Sequence, residues 1–325
     1  MGRRLSRVEV IPLGILMRIN YDCRMTSTQF FRIVEMRTKI ISMGTFFMAS
    51  VYGYYLSGTV HWPIFFIMLF ATLAVDMGTT GFNTYFDFRR GTDSIEYTKE
   101  SGKVLVHDGV APNSALLISA SLFLIAAVLG LYLASMTSWY LIPVGGICMF
   151  VGFVYTGGPF PISRTPFGEL FAGGFLGTVL FLIVLFVQGF ELSLANFLIT
   201  IPLWIHIAMI LSVNNTCDLV GDKANGRKTL AILLGPDKAP YLILAEGIIV
   251  YGGIVLLTLS GIYPLSAGII NFLALIVWID SYRKMMKAGF NASTKEPNIA
   301  LVSKAFLVFV FTFILGFALS AVLAW

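Results

Sequence analysis

The stretch GFNTYFDFRRGTD, residues 81–93, closes an otherwise oily segment, and NNTCDLVGDKANGRKTL, residues 214–230, repeats its character at the end of another. In the first, Asn83 stands four residues before Asp87; in the second, Asn214, Asp218 and Asp222 follow one another at the same interval. Residues four apart lie about 40° apart around a helix, their side chains about 5–6 Å from one another. Each stretch therefore presents a short ladder of oxygens from one face of a helix end. The interval from Asp87 to Asp93 falls on the wrong face, so Gly91 is expected to end the first helix and let the chain turn Asp93 back.

The surroundings of the ladders set the fold class. The 325 residues are 57% hydrophobic and 12% charged, with a mean hydropathy of +0.85, whereas soluble domains carry about 25% charged residues. The chain reads as an all-α integral membrane protein. Apolar runs near 38–58, 63–87, 114–134, 138–156, 168–188, 196–218, 240–260, 263–281 and 301–323 predict nine transmembrane helices, each long enough for a hydrocarbon core of about 30 Å. Such runs lack the period-2 alternation of barrel strands, and a helix satisfies its own backbone in lipid. The ladders end the second and sixth runs, which suggests two four-helix pseudo-repeats followed by a ninth helix.

Basic residues test this count, because Lys and Arg stay on the cytoplasmic side. With the N-terminus cytoplasmic, the inner segments hold the basic residues from Arg32 and Arg37 through Arg89, Arg90, Lys99 and Lys103 to Lys295, and the four outer connections hold no Lys or Arg. Both ladders then lie at the cytoplasmic side. The pI of about 9.1 follows from this topology and offers a place for anionic ligands, with nucleic acid not expected as a partner. Residues 1–30 read as an N-terminal extension, cytoplasmic or interfacial, without a cleavable signal pattern, and 31–325 as the membrane domain. Cys23, Cys148 and Cys217 have no metal-ligand spacing.

A carboxylate at bilayer depth costs about 2.5–3.5 kcal/mol on insertion scales, so several together need cations. The ladders offer only oxygen ligands, which favours Mg²⁺ over zinc or copper, and Mg²⁺ is commonly completed by substrate phosphates. Arg89, Arg90, Lys103, Lys223, Arg227 and Lys228 stand nearby to hold phosphate oxygens. Acids for metal and bases for phosphate together fit a departing diphosphate. A single cluster of this kind would read as a solvated loop with surface ion pairs; two matching clusters argue against it.

Four stretches carry a resemblance to a known family: NTYFDFRRGTD (83–93), VLVHDGVAPNSALL (104–117), VGFVYTGGPFPISRTPFGELFAGGFLGTV (151–179) and NNTCDLVGDKANGRKTLAILLG (214–235). They resemble the UbiA superfamily of intramembrane aromatic prenyltransferases, and within it the menaquinone-pathway branch acting on 1,4-dihydroxy-2-naphthoate. The resemblance runs from the second apolar run to the seventh. It implies a Mg²⁺-dependent transfer from polyprenyl diphosphate to that naphthoate, with decarboxylation to demethylmenaquinol, by a multi-pass cell-membrane protein in the lipid bilayer. Carried over by position, Asn83, Asp87 and Asp93 form the first metal–diphosphate motif and Asp218 and Asp222 the second. Lys103, Arg227 and Lys228 meet phosphate, with Arg90 and Asn214 beside them. Tyr155 matches a family tyrosine whose ring stabilises an allylic cation. Asp87, Asp218 and Tyr155 are the residues expected to carry catalysis.

Other positions keep two readings. Asp76 shares a face with Asn83; it either faces the cavity to bind acceptor hydroxyls or is protonated and satisfied by Thr79 and Thr80. Glu169 reads as a structural residue at a helix N-terminus, and His206 as a core histidine with a hydrogen bond. Two rival functions stand beside the main one: another aromatic acceptor (4-hydroxybenzoate, homogentisate or a tetrapyrrole), and a repeat-built transporter. Transporter sites lie near the bilayer midplane, whereas both ladders here lie at one edge.

Overall fold

Proline and glycine mark many of the helix boundaries in this chain. The computed structural model describes residues 25–93 and 102–324, so residues 1–24 of the expected N-terminal extension, with Cys23, and the loop residue Lys99 lie outside the described residues. A capping box between Thr26 and Gln29 opens a short helix, α1 (Ser27–Ile33). Long helices then cover all nine apolar runs: α2 (Ile40–Ser57), α3 (Trp62–Arg89), α4 (Pro112–Met136), α5 (Leu141–Thr156), α6 (Gly168–Val187), α7 (Leu194–Cys217), α8 (Ala239–Leu259), α9 (Leu265–Ala288) and α10 (Lys295–Ala324). Pro63, Pro112 and Pro240 sit in the first turns of α3, α4 and α8, where a missing N–H costs nothing. Among the described residues there is no strand.

Seven of these helices are long and apolar enough to cross a membrane: α3, α4 and α6 to α10. The expectation of nine spans narrows at α2 and α5. Nine of the 18 residues of α2 are Ser, Thr, Gly or Tyr, which dilutes its apolarity. Helix α5 has 16 residues, about 24 Å at 1.5 Å per residue, short of a core of about 30 Å.

The two quartets show in the packing. In each, the second helix lies along the third, α3 on α4 and α7 on α8. Helix α10 closes the bundle against α2, α7 and α9. Its Phe306, Phe309, Phe313 and Phe317 recur every three or four residues and are fully buried, the stripe that a helix wedged between neighbours requires.

One close approach positions a motif. Residues Gly174–Val179 of α6 form a π-helical stretch, and a π-turn loosens the usual carbonyl pairing. The Trp204 indole N–H of α7 donates to the Leu170 carbonyl at 3.1 Å just before it. A Cβ at Gly173 would collide with the Trp204 backbone carbonyl, while one at Gly174 would reach the indole at ordinary contact distance, 3.5 Å. Gly173→Ala is therefore expected to cost about 1–3 kcal/mol by overpacking, seen as a lower melting temperature in detergent, with Gly174→Ala close to the parent. Equal melting temperatures for all three proteins would mean that α6 and α7 separate without penalty. The contact matters to function because α7 carries Asn214 at its end.

Candidate active site

Both motifs end in the same backbone turn. Helix α3 stops at Arg89, Gly91 takes φ 72°, and the N–H groups of Thr92 and Asp93 donate to the Asp87 carbonyl at 2.9 and 3.2 Å. This returns Asp93 towards Asp87, as glycine in the left-handed region permits. In the second motif α7 stops at Cys217, and a short helix Leu219–Ala224 continues the register, with Asp222 N–H donating to the Asp218 carbonyl at 2.8 Å. Gly226 then takes φ 70° and Arg227 N–H donates to the Asp222 carbonyl at 3.0 Å. The first turn folds back an acid, and the second folds back a base.

That base joins the motifs. The Arg227 guanidinium meets Asp87 Oδ1 at 3.2 Å and Asp222 Oδ1 at 3.2 Å, with the three side chains 9%, 18% and 5% exposed. Lys103 pairs with Asp93 at 3.2 Å, and Lys295 with Asp218 at 2.7 Å. Every expected metal carboxylate thus stands against a basic side chain on one rim. Burial pushes the Asp222 carboxyl up to about 6 against the pull of Arg227. Burial alone would lower the Arg227 guanidinium, but Asp87, Asp222, Asp218 and Asp93 together raise it.

The rim opens into a cavity of about 2290 Å³, well beyond the roughly 300–1,000 Å³ of ordinary ligand pockets. Asn83, Asp87, Asp93, Lys103, Tyr155, Asn214, Asp218, Asp222, Arg227 and Lys295 line its polar end, and Leu131, Leu133, Leu141 and Ile142 line it near the far ends of α4 and α5. Asn83 and Tyr155 are set by an aromatic seam between α3 and α5, where Phe82 and Phe86 meet Phe153 edge-on at 5.2 and 5.6 Å. Asn83 Oδ1 accepts from Thr156 Oγ1. The Tyr155 hydroxyl leans towards the Gly168 carbonyl at 3.5 Å. Asn214 Nδ2 donates to Asp218 Oδ2 at 3.4 Å.

Two residues expected at phosphate stand elsewhere. The Arg90 guanidinium donates to the carbonyls of Thr156 and Gly158 and lies over the Phe86 ring, so it fastens the loop after α5. Lys228 is exposed, and its backbone N–H donates to the Arg164 carbonyl at 2.9 Å; neither residue lines the cavity. Conversely, Lys295 and Glu35 line it and were not expected there. Lys295 lies 77 residues from its partner, and only helix packing brings them together.

Asp76 lines the cavity, with both carboxylate oxygens engaged by other side chains rather than by Thr79 and Thr80. Lys39 Nζ meets its Oδ1 at 2.7 Å, and Ser42 donates to Oδ2. Thr80 joins by accepting from Lys39 at 3.0 Å, so α2 and α3 are pinned by a closed ion pair. His206 is a core histidine packed on Phe306 and Phe309 at 5.5 and 4.9 Å, but neither ring nitrogen has a hydrogen-bond partner among the described residues. Glu169 is buried near the start of α6 and accepts from Asn215 at 2.8 Å.

The donor set suits a divalent cation shared with a ligand. Asp222 Oδ2 is buried without a hydrogen-bond partner among the described residues, an acceptor available to a cation. No three His, Cys, Asp or Glu side chains among the described residues converge to hold a metal. Mg²⁺ is ordinarily held by one or two carboxylates together with phosphate oxygens and water, and this oxygen-only arrangement fits that mode.

The family model described as the UbiA prenyltransferase family matches residues 42–295. The 1,4-dihydroxy-2-naphthoate octaprenyltransferase of Bacillus subtilis (strain 168) is 40% identical over 198 residues, 61% of this chain and 63% of that relative's length, which is less than two thirds of it. The apo structure of a UbiA homologue from Aeropyrum pernix K1 is similar with a TM-score of 0.64 at 15% identity, over 89% of this chain and 98% of that one. A UbiA homologue from Archaeoglobus fulgidus, with DMAPP and Mg²⁺ bound, gives 0.60 at 13% identity, over 86% and 99%.

Proposed function

The chain belongs to the UbiA prenyltransferase family, and we propose that it transfers a polyprenyl group from polyprenyl diphosphate to 1,4-dihydroxy-2-naphthoate, releasing CO₂ and giving demethylmenaquinol. The observation that carries this reading is Arg227, which draws Asp87 of one motif and Asp222 of the other together on the rim of a cavity large enough for a long apolar tail. The similarity to the Bacillus subtilis enzyme favours the naphthoate among aromatic acceptors. A transporter would need its ion site near the bilayer midplane; membership of this family speaks for chemistry instead. In this reading residues 31–325 form the catalytic domain, α2 and α5 complete nine spans, and the rim faces the cytoplasm of a cell membrane with the N-terminus on the same side.

The donor's tail lies in the cavity and its diphosphate at the rim. Asp87 and Asp93 of the first motif and Asp218 and Asp222 of the second would hold Mg²⁺, one or two carboxylates to an ion. When bound, Mg²⁺ supplies positive charge that stabilises the diphosphate as a leaving group. Lys103, Lys295 and Arg227 are already oriented there by carboxylates and meet phosphate oxygens without reorganising. As the allylic C–O bond breaks, its electron pair leaves on the diphosphate. The Tyr155 ring faces the resulting cation, a contact of about 1–2 kcal/mol once desolvated, and apolar walls keep water out. The ring carbon bearing the carboxylate forms the new C–C bond; the C–CO₂ bond breaks and its electrons restore the aromatic ring. No enzyme nucleophile is required.

Membranes containing the chain, incubated with Mg²⁺, labelled prenyl diphosphates and a panel of aromatic acids, are expected to give a prenylated naphthoquinol whose mass lacks the carboxylate. A product that retains CO₂, or that forms only with 4-hydroxybenzoate, would replace this acceptor assignment.

A further inference from the structure

Glu35 is the one residue other than glycine with positive φ among the described residues, at φ 47°, ψ 60°. A side chain avoids this left-handed region unless neighbours over-determine it. They do so here. Thr84 Oγ1 donates to the Ile33 carbonyl at 2.9 Å and Thr80 Oγ1 to the Val34 carbonyl at 2.8 Å, which ties the segment before Glu35 to α3. The N–H and hydroxyl of Thr38 both donate to the Glu35 carbonyl at 2.9 Å.

The conformation delivers a carboxylate to the rim. Glu35 lines the cavity and its Oε1 meets Lys103 Nζ at 3.0 Å, on the same ammonium that contacts Asp93 at 3.2 Å. Burial alone would raise its carboxyl, but Lys103, then Lys39 and Lys295, hold it below the usual carboxylate range. Lys295 in turn pairs with Asp218. Glu35 therefore stands in the field of the bases that serve both motifs, yet belongs to neither. A lysine is a flexible point charge with large rotamer freedom, and two carboxylates on one ammonium remove much of that freedom before any ligand arrives.

Building on the diphosphate-site reading above, we infer that Glu35 is a positioning residue for diphosphate: its carboxylate, presented by a left-handed backbone, holds Lys103 at the first motif so that the ammonium meets phosphate preoriented. The role is carried through Lys103, and no bond to the reacting carbon is involved.

Calorimetric titration of Mg²⁺–pyrophosphate into the full chain in detergent tests this. Glu35→Gln is expected to weaken pyrophosphate binding about tenfold, as befits a lost charge-assisted contact. Glu35→Gly should weaken it equally while melting no lower than the parent, since glycine accepts the left-handed backbone; that separates the role from folding. In a Lys103→Gln background the Glu35→Gln effect should vanish, because the residue acts through that lysine. Activity should follow as a raised KM for the donor with kcat retained. Parent-like or tighter binding by Glu35→Gln, or an undiminished effect in the Lys103→Gln background, would overturn the inference and leave the diphosphate site standing. Failure of the parent itself to bind Mg²⁺–pyrophosphate would overturn both.

Discussion

Asp87→Asn is expected to lower prenyl transfer by on the order of 10²–10³-fold or more, the scale for removing one preorganised electrostatic group. The amide keeps the volume and one oxygen, so the helix end and its Gly91 turn persist. Arg227 still holds Asp222 at 3.2 Å, which keeps the second motif in place. What is lost is a negative charge on the first motif, and with it one of the carboxylates that would hold Mg²⁺. Asp218→Asn should behave alike, with the Lys295 ion pair to Asp218 weakened. The check is initial rate at saturating donor and Mg²⁺, beside melting temperature and elution volume. A folded Asp87→Asn protein at near-parent rate would remove that carboxylate from the chemistry.

Arg227→Gln should lower stability as well as activity, and in this it differs from the aspartate variants. The guanidinium is 9% exposed and is shared by Asp87 and Asp222, so its removal leaves two carboxylates facing each other with little water. Breaking a buried pair in this way costs about 3–5 kcal/mol, because the remaining charge is uncompensated. Arg227→Lys keeps the charge but cannot span two carboxylates with a planar fork, and should fall between. Added Mg²⁺ with pyrophosphate should recover part of the melting temperature lost by Arg227→Gln, since a ligand that binds only the folded state stabilises it. Equal thermal shifts from Mg²⁺–pyrophosphate in parent and variant would show that the arginine and the cation do not share these carboxylates.

Two details of the rim explain why residue type and motif position pointed to bases that do not line the cavity. Arg90 and Lys228 have the chemistry and the chain position of phosphate ligands. Arg90 instead satisfies the carbonyls of Thr156 and Gly158, because the loop after α5 leaves those acceptors beside the end of α3. Lys228 follows a turn at Gly226 that sends Arg227 inward and its neighbour outward. Adjacent residues in a turn diverge, and nothing in their identity says which one faces the cavity. Asp76 shows the reverse: its oddity was visible in the chain, but its partner Lys39 lies 37 residues away on another helix.

The chain by itself determined what depends on near neighbours. Long apolar runs made helices of lipid-spanning character, four-residue spacing set each oxygen ladder on one face, and Gly91 ended a helix so that Asp93 could return; all are local consequences of backbone geometry and hydropathy. Tertiary structure alone decided how the ladders meet. Arg227 reaches Asp87 across 140 residues, Lys295 reaches Asp218 across 77, and Glu35 reaches Lys103 across 68. The distance between two helix ends is a property of packing, summed over many side-chain contacts elsewhere in the bundle, and no spacing within either segment encodes it.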